Sequence, residues 1–421
     1  MALSLSEEER RTLAGETGAG KQMCMELIVG LGESQGAQEL TPISQAHVDG
    51  CLYHGQVGLD FTGRLLELDC RVAVPTTLNV GGADLVHPEL FQGDARARRA
   101  PERLMADHLK LGCRPTFTCA PYQLPSRPKL GEQIAWGESN AIAYANSVLG
   151  ARTNRYGDFV DLAAAVVGKV PMSGLHTDDG RVGEILFDVT SVPPQLAVSD
   201  AFFPVLGFLV GKEAGRAIPV IEGLPADTTD DQLRALGAAA ASSGSVGMFH
   251  AVGLTPEAET VADALGDVEA AEVVSVSVQM LRSARDALCT VVGGEIGAVS
   301  LGAPHLSPAE LRTIADLLEA EDLVVAAGVG AYINTSRHAL QAAEEAGVAE
   351  TLRRAGFDIV VDTCTYIAPI MREVDGPVMT NSAKWAHYAP ANIGVEVVFG
   401  SLWECLRSAR DGAVWRDDAL W

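Results

Sequence analysis

The chain has 421 residues, 31 Lys+Arg against 55 Asp+Glu, a net charge of −24, and 48% hydrophobic residues. That apolar fraction excludes a disordered chain, and the length provides a substantial core in one large or two to three ordinary domains. The acidic balance argues against nucleic acid and anionic membranes, which call for clustered Lys and Arg.

The elements are predicted in chain order. Leu3 to Leu13 reads as a helix, with Ser6 and Glu9 at capping-box spacing. The start, Met1 to Arg11, is acidic and polar, unlike a signal peptide. The expected compartment is therefore the reducing cytoplasm, with eight cysteines as free thiols or metal ligands. Gly15 to Gln22 approximates a phosphate loop, but Gln22 stands where Ser or Thr would hold magnesium. A charged helix, not a strand, precedes it. Arg71 to Asn79 looks like a strand running into a polar loop, with Pro75 ending the strand. Residues 92–110 carry a mixed-charge helix. The most apolar stretch, Ala201 to Val210, is too short to span a bilayer. Asp227 to Leu236 is a surface helix start or a linker.

The last third is clearest. Ile296 to Leu301 is a predicted strand, Gly302 to Leu306 a loop, and Ser307-Pro308-Ala309-Glu310 opens a helix that runs to about Glu321. Leu323 to Ala327 is a predicted strand, Arg337 to Ala355 a helix, and Phe357 to Val361 a strand. Alternating strands and helices predict a parallel α/β sheet.

Three tracts carry more polar groups than a core tolerates: Thr116 to Tyr122, Trp136 to Arg155, and Met379 to Lys384. Buried polar groups must be paired with each other or with a ligand. In the second tract Glu138, Ser139, Asn140, Asn146, Arg152, Thr153, Asn154 and Arg155 crowd together. As a cluster they suggest a polar ligand site, with Arg152 and Arg155 as carboxylate or phosphate clamps. If Ala141 to Val148 is helical, Asn140 and Asn146 cap its ends or face a polar cleft. Cys119 lies in a Thr/Pro loop, and Cys405 in a predicted helix, Leu402 to Arg410. Cys364 lies just past the strand Phe357–Val361, at the carboxyl edge where parallel sheets bind ligands. Cys24, Cys70, Cys113 and Cys289 have apolar neighbours and read as core. Three dispersed thiols can converge on an iron–sulfur cluster.

Read together, these tracts and several shorter pieces resemble the aconitase X family. The pieces are Ala46-His47-Val48-Asp49, Val74 to Asn79, Thr118 to Tyr122, Trp136 to Ala141, Asn146 to Asn154, Pro304 to Ser307, Asp362-Thr363-Cys364 and Thr380 to Lys384. The resemblance runs from about residue 4 to about residue 412. It implies an aconitase-like α/β fold, with several three-layer parallel-sheet subdomains around a central cleft. The expected domain is 1–420, subdivided near 195–235 and 290–370, without the small swivelling domain.

The resemblance also implies a dehydratase with an iron–sulfur cluster, working with a separate small subunit that supplies a catalytic serine. Known family activities are dehydration of cis-3-hydroxy-L-proline and of mevalonate 5-phosphate. A non-catalytic, metabolite-binding subunit is the alternative from another class. By the resemblance Cys119 and Cys364 are cluster ligands. Some members have Cys before Pro-His, where this chain has Ala303, so Cys405 is the candidate third ligand. Thr76, Thr77, Asn79, Glu138, Ser139, Asn140, Arg152, Thr153 and Asn381 are expected to bind substrate. Ser382, Lys384 and His47 are the catalytic candidates, and His305 is expected behind them.

Overall fold

The computed structural model describes residues 3–266, 268–372, 375–417 and 419–421. The chain divides into two compact units. The first is Met1–Gly82 with Asp94–Val182, and the second is Ala83–Gly93 with Gly183–Trp421. Both are α/β, built on parallel sheets.

The first unit holds strands β1 (Leu40–Pro42), β2 (Ala46–Val48), β3 (Thr76–Leu78), β4 (Ala135–Trp136) and β5 (Lys169–Pro171). The strands β3-β2-β4 form a parallel sheet, and β1 pairs antiparallel with β5. The predicted strand before Pro75 is corrected: the ladder begins after it, at Thr76. A proline lacks the N–H a central ladder needs, so it serves as the entry to the strand. The first helix is Glu7–Leu13, and its Ser6/Glu9 capping box is formed.

The second unit has two parallel sheets. The four-stranded sheet has the order β8-β7-β6-β9, from β6 (Ile185–Asp188), β7 (Pro219–Glu222), β8 (His250–Ala251) and β9 (Glu272–Ser275). The apolar stretch 201–210 lies in the helix Phe202–Ala214, which packs on the helix Asp230–Ser243. The two backbones nearly touch: a Cβ on Gly207 would lie 2.1 Å from the Leu236 carbonyl. Among the described residues no helix is long and apolar enough to cross a membrane.

The five-stranded sheet has the order β12-β11-β10-β13-β14, from β10 (Ala298–Leu306), β11 (Gly330–Thr335), β12 (Asp358–Val360), β13 (Val378–Thr380) and β14 (Val397–Phe399). Helices cover it, so its strands are apolar on both faces. The capping box at Ser307 is formed, and Leu311, Ile314, Ala315 and Leu318 of the following helix face the core, as a 3.6-residue period requires.

Three predictions are corrected here. Gly302 to Leu306 belongs to β10, with a register shift between Leu301 and Leu306. Leu323 to Ala327 is not a strand; the ladder starts at Gly330. The helix 337–355 is two helices, broken where Gly347 takes a left-handed φ of 75°.

Candidate functional site

Predicted site residues fall in both units. In the first unit they gather on one face of the β3-β2-β4 sheet. The parallel register sets His47 beside Thr77 on one side and Trp136 on the other. Residues two apart on a strand share a face, so the next row is Asn79, Asp49 and Glu138. The amide of Asn79 donates to the Asp49 carboxyl, which confirms that second row. Six polar or amphipathic side chains thus sit at the carboxyl edge of a parallel sheet, the edge where such sheets bind ligands.

The bonds of His47 determine its chemistry. The Thr77 hydroxyl lies 2.8 Å from His47 Nδ1 and 3.3 Å from the Ala46 carbonyl. The Nε2 of His47 is buried and has no hydrogen-bond partner among the described residues. Burial pushes the imidazole down to about 3, against the opposing pull of Glu138, which favours the neutral ring. Asn79 Oδ1 and Trp136 Nε1 are likewise buried without a partner among the described residues.

Asp161, which no sequence pattern marked, anchors this row. Its Oδ2 accepts from Asp49 N–H at 2.6 Å and from Gly50 N–H at 3.3 Å. Burial, reinforced by Asp49, pushes its carboxyl up to about 8. Gly137 lies against it: a Cβ there would come within 2.6 Å of Asp161 Oδ2.

Other expected substrate contacts are spent on structure. Glu138 caps the helix Ser139–Ser147 by accepting from Ala141 N–H at 2.7 Å, and Ser139 bonds to the same carboxyl at 3.2 Å. Asn140 donates to the Cys119 carbonyl at 2.7 Å and to Glu138, and accepts from Tyr122 at 2.6 Å. It therefore fixes the Cys119 loop. Arg152 pairs with Asp178 and donates to the His176 carbonyl at 3.3 Å. The Thr153 hydroxyl accepts from Trp136 N–H at 3.1 Å and donates to the Asn154 carbonyl at 3.0 Å, and the Thr76 hydroxyl donates back to the Val74 carbonyl at 2.9 Å.

In the second unit, β10 lies where the strand order reverses. The chain fills β11 and β12 on one side and then β13 and β14 on the other. A ligand crevice forms at such a switch point. His305 ends β10, and Asn381, Ser382 and Lys384 follow β13. Asn381, Ser382 and Lys384 line a cavity of about 40 Å³ with Arg234, Gly302 and Pro304, room for water rather than for a hydroxy acid. Ser382 caps the next helix by accepting from Trp385 N–H at 3.0 Å, and it donates to the Ala303 carbonyl. Its hydroxyl is engaged by both bonds. Arg234 donates to the His305 carbonyl at 2.7 Å from a buried position.

His305 is brought forward by the fold. Its Nε2 donates to the Thr363 carbonyl at 3.0 Å, so Nδ1 carries the lone pair. A ring nitrogen of His305 and the Cys364 thiol lie within 4.8 Å of each other, both buried. Imidazole and thiolate are donors that iron accepts, and a ring N–H held by a carbonyl is how a ligating imidazole is oriented. These donors fit an iron centre. The Asp362-Thr363-Cys364 turn is gripped by Arg337, which the sequence did not mark.

Cys405 is corrected. It is fully buried among Val299, Leu301, Ile333, Met379 and Val398, and burial raises its thiol well above the ordinary range. That is the surrounding of a packing residue. Cys289, expected in the core, is half-buried and accepts from Phe399 N–H at 3.3 Å and Arg416 at 3.4 Å.

Family models match the chain in three consecutive stretches. The Aconitase X first domain matches residues 2–179, the second domain 183–286 and the third domain 296–411. The chain is 38% identical to the cis-3-hydroxy-L-proline dehydratase of Hypocrea jecorina, over 98% of this chain and 69% of that one. It is 40% identical to the protein of the same name from Pseudomonas aeruginosa, over 96% of this chain and 69% of that one. It is 35% identical to the phosphomevalonate dehydratase large subunit of Methanocaldococcus jannaschii, over 96% of this chain and 99% of that one. The holo-form crystal structure of Thermococcus kodakaraensis aconitase X superposes with a TM-score of 0.86 at 32% identity, covering 97% of this chain and all of that one. The chain belongs to the aconitase X family and is, with that family, a hydro-lyase.

Proposed function

We propose that the chain dehydrates cis-3-hydroxy-L-proline to pyrroline-2-carboxylate. The observation that carries this reading is the 38–40% identity, over nearly the whole chain, to two dehydratases of that name. The large subunits of phosphomevalonate dehydratase match at 33–35%, which makes mevalonate 5-phosphate the second reading.

Cys119 and Cys364 are the proposed ligands of an iron–sulfur cluster, with His305 in place of a third thiol. Such a cluster, when bound, supplies a Lewis acid for the departing hydroxyl. Thr77 and Asn79 are the proposed substrate-facing groups of the first unit. Lys384 and Asn381 are those of the second. Burial holds the His47 imidazole well below its ordinary range, which makes it a weak base for the α-proton. We assign proton removal to a serine on a separate small subunit. The full-length match to relatives named large subunits supports that partner. A reducing cytoplasm suits its thiol ligands.

The test is iron and acid-labile sulfide analysis of anaerobically purified chain, followed by assay with a candidate small subunit on both substrates. Pyrroline-2-carboxylate is the expected product. Turnover of mevalonate 5-phosphate alone selects the second reading. Failure to take up iron, with no turnover of either compound, overturns both and leaves a metabolite-binding subunit.

A further inference from the structure

In the second unit the helices Phe202–Ala214 and Val278–Ala287 pack together, and beside the helix Ala383–Ile393 they leave a cavity of about 580 Å³. That volume is in the range of small-molecule sites. Phe208, Leu209, Met280, Ala284 and Ala287 give it apolar walls. One corner is cationic. The Lys212 ammonium stands over the Phe208 ring, 5.5 Å from its centre, and no carboxylate pairs with it among the described residues. His387 meets the same ring edge-on, with centroids 6.1 Å apart. Burial, and then the Lys212 charge, hold the His387 imidazole below its ordinary range. Glu213 also lines the cavity, but Lys212 is the charge that acts on His387. The helix Val278–Ala287 adds no charged side chain to the lining.

In a chain with a net charge of −24, a positive corner on an apolar cavity is the exception. One ammonium beside apolar walls is complementary to one negative charge on an apolar body. We propose that this cavity binds a medium-chain aliphatic carboxylate. The carboxylate accepts from Lys212 and lies beside His387, while the hydrocarbon chain covers Phe208, Leu209 and Met280. Methionine, unbranched and freely rotating, adapts to such a chain. A doubly charged phosphate is poorly matched, because His387 is held neutral beside Lys212 and offers no second cation. This site takes no part in the dehydration read above, and either can hold without the other.

The test is calorimetry of the full chain with octanoate and with its neutral analogue, octanamide. Octanoate is expected to saturate one site and to bind about tenfold tighter than octanamide, as a charge-assisted hydrogen bond at a partly exposed position allows. Lys212→Ala should abolish that preference and leave octanamide unchanged. Ala284→Trp, which fills the cavity, should remove the binding of both. Carbon-13 spectra of the histidine rings, assigned with His387→Gln, give a second readout. Octanoate should move the His387 titration upward, since its charge offsets that of Lys212, and octanamide should not. No saturable binding of octanoate at millimolar concentration overturns the proposal. Equal affinity of the wild-type chain for the two probes overturns it as well, and that result does not depend on any variant folding. Octanoate binding that persists unchanged in both Lys212→Ala and Ala284→Trp, with an unmoved His387 titration, places the ligand elsewhere and overturns it too.

Discussion

Arg337 holds Asp362 through two parallel bonds, Nε to Oδ1 at 2.6 Å and Nη2 to Oδ2 at 2.5 Å. Asp362 is fully buried and has a left-handed φ of 62°, a conformation that costs an L-residue energy. The same carboxyl accepts from Leu85 N–H at 3.1 Å. The pair holds the turn that carries Thr363 and Cys364. Removing one partner strands a buried carboxyl, and the guanidinium is partly exposed. Arg337→Ala should therefore cost about 2–3 kcal/mol, below the range for a fully buried pair. Arg337→Lys should recover only part, since an ammonium cannot make the two-pronged contact. Urea midpoints and iron bound per chain measure both. Wild-type stability and iron content in Arg337→Ala would refute the role.

The three candidate thiols should separate. Cys119→Ser and Cys364→Ser should each lose most of the iron after anaerobic reconstitution, with little change in fold. Cys405→Ala should keep the iron and lose about 1–2 kcal/mol, as a small packing residue removed from a core does. Iron loss in Cys405→Ala alone would reverse the assignment.

His47 makes stability depend on pH. Its folded pKa of about 3 lies below the unfolded value near 6.5. Between these values the unfolded chain binds one proton more than the folded chain. The contribution is therefore fully present above about pH 6.5 and is lost as pH falls. The stability of the wild type relative to His47→Gln should rise with pH by up to about 1.4 kcal/mol per unit from about pH 4 to 6.5, then level off. Urea denaturation of both proteins across that range gives the slope. A flat difference would mean His47 titrates normally.

Gly137 is a spacing requirement. An alanine methyl there would lie 2.6 Å from Asp161 Oδ2, 3.1 Å from Asp49 Cβ and 3.2 Å from Asp49 N. The Asp161 oxygen is fixed by two backbone N–H groups and cannot give way cheaply. Gly137→Ala should cost about 1–3 kcal/mol, as overpacking does. Thermal denaturation checks the loss, and wild-type stability in the variant would refute the spacing requirement.

Local signals were legible wherever the physics is local. The capping boxes at Ser6 and Ser307 formed as read, because Ser and Glu three residues apart satisfy the same end of one helix. The strand at 323–327 failed because a short apolar run fits a loop as well as a strand, and here only Leu323 is buried while Val324 is exposed. Val325 N–H bonds to the Ala355 carbonyl instead of a ladder neighbour. The true strand β11 carries Asn334, whose side chain donates to the Leu301 carbonyl at 2.8 Å and accepts from Thr365 N–H at 2.9 Å. No window of sequence contains those partners.

The amino-acid sequence by itself determined the family, the α/β class and which tracts are too polar to be core. Those properties rest on residue types and short spacings. Tertiary structure decided what each polar group does. Asn140, Arg152 and Ser382 looked like ligand contacts in one dimension, and their hydrogen bonds turned out to be spent on Cys119, Asp178 and Ala303. His305, Arg337 and Asp161 gained importance only through neighbours far away in the chain. A hydrogen-bonding side chain is available to a ligand only if the fold has not already used it, and that count can be made only in three dimensions.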